Sequence, residues 1–121
     1  MSESDRAQHR GEPWAAALGR VPSGLFIVTA REGEAETGLL ASWVQQCSFD
    51  PPQITVAVRP DRTVAAWLQV GAPLVVNILD DGQTDMIVHF GRGFKTGEAA
   101  FDGLELIRSE RGLPVLAEAL P

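Results

Sequence analysis

The fold of this chain turns on residues 37–52, which read Thr37-Gly-Leu-Leu-Ala-Ser-Trp-Val-Gln-Gln-Cys-Ser-Phe-Asp-Pro-Pro52. An apolar run typical of a strand ends at Ala41, where small and hydroxyl-bearing residues replace bulky ones. Such a strand end opens its backbone N–H groups to a ligand. With the hydroxyls of Ser42 and Ser48, these amides suit acceptor oxygens, such as a phosphate or the carbonyl edge of a flat ring. The alternative is a plain loop between two strands, in which Ser and Pro are common.

Composition indicates one soluble globular domain. The 121 residues are 45% hydrophobic and 21% charged, and the net charge is −6. This acidic balance argues against a nucleic-acid or anionic-membrane partner. No apolar run approaches the roughly 20 residues that cross a bilayer. The polar N-terminus lacks the apolar core of a signal peptide, so we expect a cytoplasmic protein.

Cysteine and histidine are too scarce for a disulfide or a zinc site. Cys47 stands alone, which excludes an internal disulfide and favours a reducing compartment. His9 and His89 are the two histidines. One cysteine and two histidines do not supply the ligand set of a zinc centre, so we expect no metal.

The first half of the chain predicts a polar arm, a short helix and several strands. Residues 1–12 form the arm, and the domain covers residues 13–121. Pro13 suits the first turn of a helix that places Trp14, Leu18 and Val21 on one face. Strands are expected at 25–30, around Leu39 and at 53–59, with a hairpin turn over 31–36.

The second half continues the same alternation of short elements. Asp61 is expected to cap a helix over 62–70, and Thr84 a second helix. A glycine-rich loop follows at 91–97. Further strands are expected at 74–79 and 104–108, and a short apolar element at 113–116. Many strands with hairpin-length connections predict a mostly β, antiparallel barrel or sheet with short helices.

A series of short motifs resembles the flavin reductase-like family, the FMN-binding split-barrel group. The motifs include Ser-Gly-Leu-Phe-Ile-Val-Thr at 23–29, Gly-Leu-Leu-Ala-Ser-Trp at 38–43, Ser-Phe-Asp-Pro-Pro at 48–52, Val-Asn-Ile-Leu at 76–79 and Leu-Pro-Val-Leu at 113–116. Their order and spacing together carry the resemblance, which spans roughly residues 16–120. The chain is most similar to the C-terminal flavin reductase-like domain of cyanobacterial diflavin flavoproteins.

The resemblance implies an antiparallel, Greek-key-like split β-barrel that forms a homodimer and holds a flavin near the subunit interface. FMN is the implied cofactor, FAD is possible, and NAD(P)H is the implied co-substrate. Such a protein reduces flavin with NAD(P)H, and the reduced flavin then serves an oxygenase or another electron acceptor.

The same resemblance implies a set of cofactor-binding residues. The backbone of Leu40, Ala41, Ser42 and Trp43 would line the isoalloxazine edge. Cys47 and Ser48 would reach the ribityl chain and phosphate, and Arg62 and Thr63 would complete the phosphate site. Elementary chemistry agrees with the last assignment, because a helix start and a forked arginine both suit a phosphate.

Each of these residues also has a simpler interpretation. Arg62 can be a solvated arginine at a helix start, and Trp43 can pack in the core. Cys47 can be a small structural residue. We expect His89 to be a surface or packing histidine and Lys95 to be solvated.

The chain departs from the family at its end. Family members run some tens of residues further and carry a Gly-Asp-His motif near the nicotinamide, whereas this sequence stops at Pro121 without one. We therefore expect a split barrel truncated at the C-terminus, with a sheet edge that a partner or another segment covers. The alternative function is a non-catalytic flavin-binding or accessory dimer module. A third is a barrel for another flat cofactor, such as haem, with His89 as ligand.

Overall fold

The structure, a computed structural model, describes residues 11–95 and 97–119, so the predicted arm lies almost wholly outside the described part. The helices are α1 (Pro13–Leu18), α2 (Thr63–Trp67) and α3 (Thr84–Gly91). The strands are β1 (Phe26–Glu32), β2 (Ala35–Ala41), β3 (Val44–Phe49), β4 (Pro52–Val56), β5 (Leu74–Ile78), β6 (Leu106–Arg108) and β7 (Pro114–Leu116). The prediction of a mostly β chain with short helices is confirmed.

The strands pair as one sheet and two ribbons. A three-stranded sheet has the order β2-β1-β5, and β3-β4 and β6-β7 are separate two-stranded ribbons. Every pairing is antiparallel, as predicted. Over the described residues these pairings do not close into one continuous barrel. The chain therefore changes pairing partners between β2 and β3, where the small residues stand.

Strand β1 separates two apolar clusters, because successive side chains of a strand point to opposite faces. Ile27 packs on one face with a cluster from α3 and the C-terminal segment, whose buried members are Met86, Phe90, Ala100 and Leu116. Ala30 packs on the other face with Leu39, Val64 and Trp67, the last two from α2. The two helices thus cover opposite faces of the sheet.

A glycine in β2 lets helix α3 approach the sheet closely. A Cβ at Gly38 would lie 2.6 Å from Cε1 of Phe90 and 3.4 Å from Cγ2 of Ile27. The distance to Phe90 is shorter than van der Waals contact, so a larger residue would displace the ring. Glycine at position 38 therefore sets how closely α3 approaches the sheet, and with it the position of the loop that follows α3.

Buried polar side chains attach the C-terminal ribbon to the sheet. Asn77 Nδ2 donates to the Ile27 carbonyl at 2.8 Å, and the Leu116 N–H donates to Asn77 Oδ1 at 2.9 Å. Thr29 Oγ1 donates to the Pro114 carbonyl at 2.6 Å. A buried polar group left without a partner is costly, so these bonds define where β7 docks.

Strand β3 is a correction to the sequence-based prediction. Residues Val44–Phe49 form a strand that pairs with β4, whereas the sequence analysis predicts no strand between Ala41 and residue 53. Strand β4 in turn ends at Val56, before the predicted end at residue 59. The ribbon is mostly exposed on both faces, so its sequence lacks the apolar alternation that identifies a half-buried strand.

Both predicted helix caps are wrong. Asp61 lies outside α2 and pairs with Arg59 at 2.7 Å, while Arg62 precedes the helix without a side-chain cap. Helix α2 also ends at Trp67, well before residue 70. Thr84 is the first residue of α3, and Gln83 holds the cap position. The Gln83 side chain accepts a hydrogen bond from the Asp80 N–H instead, which closes the preceding turn.

The predicted apolar face of α1 is exposed in the single chain. Trp14, Leu18 and Val21 all keep a large part of their surface open.

Among the described residues, no helix combines the length and the apolar character needed to cross a bilayer.

Candidate functional site

A cavity of about 160 Å³ opens where β2 ends and β3 begins. Its lining comes from three neighbouring segments: Leu39, Leu40, Ala41, Ser42 and Trp43; then Ala57, Val58 and Arg59; and finally Arg62. The structure thus brings together five of the eight residues singled out in the sequence. They meet because the chain crosses from the sheet to the ribbon there and then returns toward α2.

The break between β2 and β3 leaves polar groups available at the cavity. Ser42 lies in a bend and is half-buried, and within the described chain its hydroxyl has no hydrogen-bond partner. The Ala57 N–H donates to the Trp43 carbonyl at 3.0 Å, so the far side of the break is held by backbone pairing. A free hydroxyl beside a fixed backbone can donate to an acceptor oxygen without rearrangement.

Two arginines, Arg59 and Arg62, line the cavity. Arg59 is paired with Asp61, and both side chains are partly exposed. Arg62 is half-buried, and no carboxylate in residues 11–95 and 97–119 pairs with it. An unpaired guanidinium offers a fork of N–H donors that matches phosphate oxygens. Arg62 is therefore the strongest anion-binding group of the cavity.

The helix start contributes less than the sequence suggested. Helix α2 has only five residues, whereas the predicted helix covered 62–70. The dipole of so short a helix is small, because it sums few peptide units. Any phosphate recognition here depends on the guanidinium of Arg62, with Arg59 beside it.

A much smaller cavity, of about 10 Å³, lies between Arg62 and the loop after α3. Thr63, Gly93 and Phe94 line it. Thr63 Oγ1 donates to the Phe94 carbonyl at 3.3 Å, so this predicted site residue holds the loop in place. The start of α2 and the loop therefore form one packed unit around Arg62.

The loop is held on its other side by Glu98. The Lys95 N–H donates to Glu98 Oε1 at 2.7 Å, and Arg92 Nη2 lies 3.2 Å from Glu98 Oε2. The Lys95 N–H first, and the Arg92 guanidinium with it, hold the pKa of the Glu98 carboxyl below its ordinary value. A lowered pKa means that these contacts stabilise the fold at neutral pH and are lost as the pH falls through the folded-state pKa.

Cys47 and Ser48 do not line the cavity that holds Arg62. Both lie in β3, where the register against β4 shifts between Gln46 and Ser48 and leaves Cys47 as the extra residue. Cys47 is free and exposed, and Ser48 is half-buried. A bulge of this kind redirects the side chains beside it. The proposed contact of these two residues with a flavin stays a prediction.

The structure shows which of the interpretations given above fits Trp43 and which fits His89. The Trp43 side chain is 61% exposed in the single chain, so it is not a core residue there. His89 Nε2 lies 2.6 Å from the Ala100 carbonyl, and its ring packs on Phe90 and Phe94 at centroid distances of 4.7 and 5.3 Å. His89 is therefore a packing histidine, which argues against a role as a haem ligand.

A second cavity, of about 310 Å³, shares a wall with the first. Ser42, Trp43 and Ala57 line both cavities. Leu18, the last residue of α1, and Val21, just after it, give the second cavity an apolar rim.

No group of three His, Cys, Asp or Glu side chains that could hold a metal ion occurs in the described part of the chain.

Sequence reasoning missed Arg59 and Gly93. Arg59 stands at the end of the alternating run 53–59, which suggested an outward-facing strand residue. Its proximity to Arg62, three residues later, was the available signal for a paired cationic site. Gly93 carried no such signal, because its contact with Arg62 joins segments that are distant in sequence.

The family profile described as "Flavin reductase like domain" matches residues 18–120. Among curated proteins, the chain is 43% identical over 105 residues to Diflavin flavoprotein A 1 of Synechocystis. This match covers 86% of the chain but 18% of that protein. The chain thus spans about a fifth of the length of such relatives.

Solved structures match over nearly the whole chain. The NADH:FAD oxidoreductase SgcE6 of Streptomyces globisporus superposes with a TM-score of 0.78 at 27% identity, covering 98% of this chain and 68% of that one. The same enzyme in complex with NAD and FAD fragments gives a TM-score of 0.75 at 26% identity, over 98% and 67%. The predicted split-barrel architecture is confirmed by these neighbours. On its sequence and its fold alike, the chain belongs to the flavin reductase-like domain family.

Proposed function

We propose that this chain is a flavin-binding oxidoreductase domain that reduces FMN or FAD with NAD(P)H. The observation that carries the proposal is that Ala41, Ser42 and Arg62 line one cavity, and that no carboxylate of the described residues pairs with Arg62. Family membership supports it, and so does the likeness to an enzyme named for NADH and FAD.

The donor set of the cavity fits a phosphorylated flavin. Arg62 would hold the phosphate, because a guanidinium pairs with two of its oxygens. The opened backbone from Leu40 to Trp43 would meet the polar edge of the ring, and the Ser42 hydroxyl adds a donor. A bound flavin supplies the hydride acceptor itself, so the protein needs no acid or base and contributes orientation and exclusion of water.

A second copy of the chain would complete this site. At about 160 Å³, the cavity is smaller than the roughly 300–1,000 Å³ typical of sites for ligands of this size. Next to it, Trp43 is exposed, and the β3-β4 ribbon exposes Phe49 and Ile54, with Phe49 87% exposed. Apolar surface of this kind marks an interaction site. We infer a homodimer in which the partner covers the ribbon and the open side of the cavity.

The free and exposed Cys47 favours a reducing compartment, so we place the protein in the cytoplasm.

A second candidate is a flavin-binding module without turnover of its own. The observation in its favour is that the chain matches only 18% of the diflavin flavoprotein from Synechocystis. In such a setting the domain would hold a flavin that exchanges electrons with another module or with an oxygenase-type acceptor. The two candidates share the site and differ in whether NAD(P)H is oxidised.

The deciding experiment mixes the protein with FMN or FAD and with NADH or NADPH, and follows the nicotinamide absorbance. Oxidation that needs both the protein and the flavin supports the reductase. Tight flavin binding without oxidation supports the second candidate. A protein that neither binds flavin nor oxidises NAD(P)H contradicts both, and light scattering on the same sample measures the oligomeric state.

Arg62→Ala is expected to weaken FMN binding and to leave riboflavin binding nearly unchanged. A hydrogen-bonded contact to a charged group contributes about 1.5–3 kcal/mol, and riboflavin lacks the phosphate. Quenching of flavin fluorescence measures both affinities. Arg111→Ala is the matched control, because Arg111 is exposed, carries the same charge and lines none of these cavities. Equal losses for both ligands would remove the phosphate assignment.

A further inference from the structure

The Arg62 guanidinium lies directly against the backbone of Gly93. A Cβ built on Gly93 would be 2.3 Å from Nη1 of Arg62 and 3.6 Å from its Cζ. No side chain larger than hydrogen fits while Arg62 keeps this position. Gly93 also has φ +79, in the left-handed region that favours glycine.

The loop around Gly93 is fixed from several sides. The Gly93 N–H donates to the Phe90 carbonyl at 3.2 Å, and the Phe94 carbonyl accepts from Thr63 Oγ1. The Phe94 ring packs on Phe90 with centroids 5.8 Å apart, and the Arg92 guanidinium lies 4.3 Å from the Phe94 ring centroid. With the loop held in this way, a new side chain at Gly93 would move the flexible end of Arg62 rather than the loop.

We propose that Gly93 is a positioning residue that sets the direction of the Arg62 guanidinium, and so decides whether the site prefers a phosphorylated flavin over one without phosphate. This inference rests on the proposed function, since it assigns the Arg62 contact to the flavin phosphate. Because Gly93 has no side chain, the Arg62 guanidinium can pack against the loop at the edge of the cavity. No carboxylate in the described chain pairs with the guanidinium. Its position therefore depends on packing against the loop and not on an ion pair.

The test compares Gly93→Ala with Gly103→Ala. Gly103 has the same φ of +79, but a Cβ there meets nothing within 4 Å. The control therefore carries the same backbone penalty without the contact to Arg62. Affinities for FMN and riboflavin are measured for both variants and for Arg62→Ala, and urea unfolding confirms that each variant is folded.

Gly93→Ala is expected to lower the ratio of FMN to riboflavin affinity by about tenfold, which corresponds to the loss of one charged hydrogen bond. Gly103→Ala should keep the ratio of the unchanged protein. In the Arg62→Ala background, Gly93→Ala should change the ratio no further. If Gly93→Ala leaves the ratio unchanged, including by an equal loss of affinity for both ligands, the inference is overturned.

A ligand-free measurement separates this inference from the proposed function. The Arg62 Nε–Hε signal in a ¹⁵N–¹H NMR spectrum is assigned by its loss in Arg62→Ala. It should shift in Gly93→Ala and stay in place in Gly103→Ala. If Arg62→Ala leaves flavin discrimination intact, the phosphate assignment fails and with it the proposed role in ligand preference. If the Arg62 signal does not move in Gly93→Ala, the positioning role fails independently of any flavin.

Discussion

Phe90→Ala is expected to lower the free energy of unfolding by about 3–5 kcal/mol, as typical of truncating a large buried aromatic side chain. The Phe90 side chain is 1% exposed and belongs to the cluster that joins α3, β1 and the C-terminal segment. Its ring also contacts Phe94 and Phe101 at centroid distances of 5.8 and 6.0 Å. Removal leaves a cavity and loses these aromatic contacts together.

Urea unfolding followed by circular dichroism measures the loss, provided that the slope m stays constant. Val88→Ala is the matched control, since Val88 lies in the same helix but is 74% exposed. A surface change of this kind usually stays within about 0.5 kcal/mol. A loss in Phe90→Ala no larger than that in Val88→Ala would show that the α3 cluster does not stabilise the fold.

The same helix shows which parts of the fold the sequence could predict. Met86, Ile87 and Phe90 stand at helical spacing, and two of them, Met86 and Phe90, are buried. The sequence predicts strands β1 and β5 for a similar reason, because both are rich in β-branched and other apolar residues. A pattern of this kind arises wherever one face of an element is buried and local sequence records that burial.

Strand β3 marks the limit of this reasoning. Val44, Gln45, Gln46 and Cys47 show neither alternation nor an apolar run, because most of the ribbon surface is exposed in the single chain. Its pairing with β4 is a contact between backbones, which side-chain patterns record poorly. The cap at Asp61 failed similarly, since its carboxylate pairs with Arg59 rather than with the helix.

The candidate site shows the same division. Ala41 and Ser42 stand out in the sequence because they interrupt an apolar strand, and Arg62 because it follows a turn at the start of a predicted helix. These three residues line one cavity because of the way the β3-β4 ribbon leaves the sheet, which the sequence does not show. The contact of Arg62 with Gly93 depends on the packing of α3 against Gly38, which no short motif encodes.

Asn77→Ala is expected to destabilise the fold at the junction of three strands. The Asn77 side chain is 2% exposed and joins the Ile27 carbonyl of β1 to the Leu116 N–H of β7. Alanine provides neither bond, and each buried group left unpaired costs about 1–3 kcal/mol. Because β7 is short, it should open first. Amide hydrogen exchange at Leu116 is therefore expected to accelerate more than exchange in the middle of β1.

Thr29→Val is the comparison variant, because it removes one bond to the same strand with little change in shape. Thr29 Oγ1 donates to the Pro114 carbonyl, and a carbonyl oxygen without its partner is less costly than an unpaired N–H. Asn77→Ala should thus lose more stability in urea than Thr29→Val and should expose the Leu116 amide more. If the two variants lose equal stability and Leu116 exchange stays slow in both, β7 is held by the apolar contacts of Leu116 and not by Asn77.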